Sequence, residues 1–105
     1  MATGINLATN FSIPKEGPTR ANQNFVVVEM FSSDLISTGA AWVLDFSVSG
    51  QHFDHAEEGG SIISGTLAIN DTSVVSFETK PGMFWVMNFT SGVGSTGSVA
   101  YSILN

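Results

Sequence analysis

The chain contains no cysteine, which removes disulfides, thiolate metal sites and cysteine nucleophiles together. Charge is scarce as well. Asp, Glu, Lys and Arg make up 11% of the residues, against about a quarter in ordinary soluble domains. Cations are scarcest: Lys15, Arg20 and Lys80 are the full set, and the net charge is −6. Binding to a phosphate backbone needs clustered Lys and Arg, so nucleic acid is excluded as a partner. No apolar run approaches the roughly 18 residues of a membrane helix, so no membrane partner is expected. No segment has helical periodicity. The stretch "MATGINLATNFSIPKEG" (1–17) has neither a basic start nor an apolar centre, so no secretory signal is expected.

The 105 residues amount to one domain. Hydrophobic residues make up 43% and aromatics 10%, enough for a core that needs no covalent staple. The surface must then be built from Ser, Thr, Asn, Gly and apolar groups. Such a surface suits docking, since few ions have to be desolvated. It suits an isolated monomer poorly, because solubility rests largely on charge. Coverage by other copies of the chain is the expectation.

Residues 1–23 read as an extended arm, punctuated by Pro14, Gly17 and Pro18 and carrying apolar anchors at Ile5, Leu7, Phe11 and Ile13. The alternate spacing of those anchors would also allow an edge strand, and a reach onto a neighbouring subunit is a further possibility. Residues 24–105 read as a single β domain. Strands are predicted at 24–31, 41–48, 61–69, 73–79, 83–89 and 98–104, where period-two alternation meets β-branched and aromatic residues. In the 41–48 run, Trp42, Leu44, Phe46 and Val48 share one predicted face. Asn70-Asp71 and "KPG" (80–82) supply turn chemistry. The glycine-rich 90–98 stretch reads as a loop, and 31–40 is the one place for a helical turn. The fold class is therefore all-β: an antiparallel β-sandwich or jelly-roll-like barrel with an extended N-terminal arm.

One stretch stands apart. "GQHFDHAEEGG" (50–60) holds both histidines and three of the acids. His52, His55 and Glu57, with Asp54 and Glu58 beside them, are the candidate metal ligands. The favoured reading is a solvated polar loop with Phe53 tucked beneath it and no metal or cofactor. Gly50, His52, His55, Glu57 and Gly65 resemble the first motif of cupins, and Pro81, Gly82 and Asn88 the second. Cupins use His-x-His, whereas here two residues separate the histidines, and no histidine follows His55. The resemblance thus stops short of a metal-dependent cupin enzyme. No nucleophile-elbow sequence occurs. Glu57 and Glu58, as sequence neighbours, point apart in an extended chain, unlike an acid/base pair. No catalytic residue is expected.

Two predicted strands are apolar on both faces. Phe84 and Val86 oppose Trp85, and Phe25, Val27 and Phe31 oppose Val26, Val28 and Met30. A strand of this kind must be covered twice, inside the chain or by another subunit. Phe11, Ile13, Phe84 and Val86 are the expected interface residues. In composition and layout the chain resembles structural proteins of tailed bacteriophages, most of all capsid decoration (cement) proteins. That resemblance implies a non-enzymatic virion protein assembled in the host cytoplasm. It would be a homo-oligomer, often a trimer in that class, in contact with the major capsid protein. The competing expectation is a carbohydrate- or ligand-binding β module, with the 50–60 loop or exposed aromatics as its site.

Overall fold

The computed structural model describes residues 3–6, 11–32, 40–67, 71–89 and 98–105. The helical turn expected at 31–40 lies mostly outside them, as do Asn70 of the expected turn and nearly all of the 90–98 loop.

Among the described residues the chain is all-β, and every strand pairing is antiparallel. One four-stranded sheet runs in the order β1 (Thr3–Asn6), β12 (Ser98–Leu104), β4 (Phe25–Ser32) and β10 (Thr72–Glu78). The second is centred on β11 (Phe84–Phe89) and β5 (Ala40–Ser47). Along one side of β11 lie β2 (Phe11–Ile13) and β3 (Thr19–Arg20). Along the far side of β5 lie β6 (Asp54–His55) and β9 (Ser64–Leu67). A small hairpin, β7 (Glu57–Glu58) with β8 (Ser61–Ile62), leaves that edge between them.

β2 and β3 act as one interrupted strand, and so do β6 and β9. With each pair merged, the chain crosses from sheet to sheet at every step except from β5 to β6/β9. This is the wrapping of a jelly roll, an antiparallel sandwich of two four-stranded sheets.

Alternation decides what each sheet buries, because successive side chains point to opposite faces. Val26, Val28, Met30, Phe77, Val99 and Tyr101 face inward from the first sheet. Ile13, Trp42, Leu44, Leu67, Trp85, Met87 and Phe89 meet them from the second. Phe77 crosses the layer: its ring is 5.2 Å from Trp85, edge-on, and 6.1 Å from Phe46. Gly65 is required here, since a Cβ at that position would fall 2.7 Å from the Trp42 indole. Val48 departs from the predicted face. The strand ends at Ser47, and Val48 is exposed.

The described parts of 1–23 are paired into the body: β1 on β12, β2 and β3 on β11. The Lys15 backbone N–H also donates to the Tyr101 hydroxyl at 2.8 Å.

Candidate docking surface

The 50–60 stretch folds as the polar rim of the second sheet. Asp45 stands on the outer face of β5, opposite His55 of β6. The His55 Nδ1–H donates to Asp45 Oδ1 at 2.6 Å, and Asn88 Nδ2 donates to the other carboxylate oxygen at 2.6 Å. The hydrogen bond to Asp45 and then the negative charge of Asp45 raise the His55 pKa above the ordinary 6.5. His52 and Glu57 are exposed and do not join this row. Among the described residues no three His, Asp or Glu side chains converge as a metal-ligand set. The other ring nitrogen of His55 can exchange a proton with solvent, and among the described residues no nucleophilic side chain is hydrogen-bonded to it. Neither the Asp45–His55 pair nor the Asn88–Asp45 bond is legible in the sequence, since these partners are set by cross-strand register.

The four expected interface residues go to different places. Ile13 is fully buried in the chain's own core, because β2 pairs with β11 and turns it inward opposite Met87. Val86 faces outward yet is also buried. It lies on a central strand between Phe84 and Asn88, its neighbours on the same face. Arg20 stacks over the Phe84 ring at 4.9 Å, and Asn88 is tied to Asp45. The turn after β5 closes the same corner. Gly50 has a positive φ of 80°, and a Cβ there would sit 2.9 Å from the Phe84 ring. Ile13 and Val86 are thus satisfied within the chain, and Phe84 is half-buried. The Phe11 side chain lies outside what is described.

The surface that remains open is the outer face of the first sheet. Val26, Val28 and Met30 of β4 are buried, whereas Phe25 and Phe31 on its other side are exposed. Register brings Val74 of β10 beside Glu29 and Leu104 of β12 beside Val27. Phe25, Phe31, Val74 and Leu104 are 46–72% exposed, and they are four of the six large hydrophobic residues exposed among the described residues. Val27, Glu29, Ser102, Ile103 and Leu104 line a depression of about 170 Å³ in this face. Among the described strands β10 pairs only with β4, so its other edge presents unpaired backbone groups. The sequence pattern had already marked Phe25, Val27 and Phe31. Val74 and Leu104 were missed, though each is an apolar residue in phase with polar neighbours, Ser76 and Ser102 respectively.

Comparison with models of known protein families and with curated proteins finds no match.

Proposed function

We propose that this chain is a non-enzymatic structural protein that works by assembly, with the outer face of the first sheet as its contact surface. The occupant of that face is a second copy of the chain. The observation that carries this reading is the gathering of Phe25, Phe31, Val74 and Leu104 on one face, next to the free edge of β10.

Shape favours a second copy, and strand pairing can keep its carboxylates apart. Among its described strands the face carries Glu29 and Glu78 and no cation, so a contact with a second copy has to keep these carboxylates apart. An antiparallel pairing of two β10 edges centred on Val75 would set Glu78 of one copy opposite Thr72 of the other, so like charges would not meet. The same face offers projecting rings and a depression to receive one.

Size sets the strength. β4, β10 and β12 have seven or eight residues and β1 has four, so the sheet spans at most roughly 19 by 23 Å, or about 440 Å² when flat. A standard stable interface takes about 800 Å² from each partner. One contact of this kind is weak, and it becomes durable when a closed ring or a lattice repeats it. That is the demand placed on a capsid decoration protein, the class the chain resembles. The jelly-roll wrapping recurs among viral capsid domains, and here it adds a fold-level analogy. The virion setting and the major capsid protein as second partner are parts of the same proposal.

Light scattering on the chromatographically separated protein over a concentration series tests it. The mass should rise above that of one chain as concentration increases, and the double variant F31E/V74E should remain a folded monomer by circular dichroism. A wild type that stays monomeric throughout overturns self-occupancy. Saturable binding of that monomer to shells of the coat protein would assign the face to the coat instead.

A further inference from the structure

A cleft of about 470 Å³ opens at the end of the sandwich where β4 begins and β10 ends, with the β7–β8 hairpin on its other side. Asn24, Phe25, Glu57, Glu78, Lys80 and Met83 line it, and the buried Thr79 closes its floor. Its volume falls within the range of about 300–1,000 Å³ that small-molecule sites occupy.

The floor is held in place by backbone bonds. The Thr79 N–H donates to the Asn24 carbonyl at 2.8 Å, and the Thr79 hydroxyl donates to the Gln23 carbonyl at 2.7 Å. These bonds fix Asn24 and Phe25 against Glu78 and Lys80. The polar groups facing the cleft are left unspent. Among the described residues no hydrogen bond or ion pair takes up the side chains of Asn24, Glu57, Glu78 or Lys80.

The chemistry of the lining selects the guest. An anion would meet two carboxylates, and a cation would meet the Lys80 ammonium. A neutral polyhydroxylated guest suits both signs, since each hydroxyl donates to a carboxylate and accepts from an ammonium or amide. The Phe25 ring, more than half exposed, and Met83 supply an apolar wall. The C–H face of a pyranose ring can lie flat on such a wall and bury apolar surface there.

We infer that this cleft binds a neutral saccharide, with Phe25 as the stacking platform and Glu57, Glu78, Asn24 and Lys80 as the groups that read its hydroxyls. This site is separate from the assembly contact in all but Phe25 and Glu78, which belong to both.

An amide NMR titration with glucose, galactose, N-acetylglucosamine and cellobiose tests the inference. At least one of these sugars should give saturable millimolar shifts centred on Asn24, Phe25, Glu57, Thr79 and Lys80. Phe25→Ala should weaken binding by about tenfold or more, and the double variant E57Q/E78Q by a comparable factor, with both spectra still those of a folded protein. Phe31→Ala, at the other end of the same strand, should leave sugar binding unchanged at concentrations where both proteins are monomeric, while weakening self-association at higher ones. The inference is overturned if none of the sugars gives saturable shifts, or if Phe25→Ala binds as the wild type does. It is also overturned if arginine methyl ester gives the same shifts more tightly, which would mark a cation site.

Discussion

At the scale of single residues, His55 shows what register adds to composition. The protonated ring is held by Asp45 in the folded chain, so its folded pKa lies above the ordinary 6.5 that it regains on unfolding. The stabilisation from this pair is therefore fully present below about pH 6.5 and fades as pH rises through the folded value. The ring is solvent-exposed, which screens the pair and keeps the effect small. An NMR titration should find His55 changing charge above pH 6.5, and Asp45→Asn should bring that midpoint down. An unchanged midpoint in the variant would remove Asp45 as the cause. The sequence offered His52, His55 and Glu57 as a group because they are neighbours along the chain. In the fold His55 turns to a strand ten residues back, and the cluster dissolves.

At the scale of elements, the two sheets are joined by interdigitated rings. Phe77 of β10 packs on Trp85 and Phe46 of the opposite sheet. Phe77→Ala would open a cavity in that layer and should cost about 3–5 kcal/mol of unfolding free energy. Urea unfolding read by tryptophan fluorescence measures it, and a loss below about 1 kcal/mol would show that the layer closes around the gap. The β10 strand is pinned on its inner face and open on its outer face and edge. That asymmetry was half legible: β4 was plainly apolar on both sides, but the alternation of β11 looked the same. What separates them is position. The outer side of β11 is closed by Arg20 over Phe84 and by the Asn88–Asp45 bond. The described residues place no such cover over Phe25 or Phe31.

At the scale of the molecule, a chain of net charge −6 that binds its own copies must overcome mutual repulsion. Added salt screens that repulsion, so self-association through the first sheet should strengthen as ionic strength rises. Binding to a basic partner would weaken under the same change. Sedimentation equilibrium at low and high salt distinguishes the two, and weaker association at high salt would contradict the self-docking reading. The saccharide cleft responds differently again, because a neutral guest carries no net charge to screen.

The sequence by itself determined the all-β class, most strand positions and the parity of nearly every core residue, because period-two alternation is a local property of the chain. It also determined that β4 would carry apolar side chains on both faces. Only the tertiary structure decided which doubly apolar strand is sheltered within the chain and which is left open. It alone turned Ile13 into core, paired His55 with Asp45, and brought Phe25, Glu57 and Glu78 around one cleft. Those outcomes depend on sheet order and register between segments distant along the chain, and side chains brought together by pairing leave no mark in local alternation.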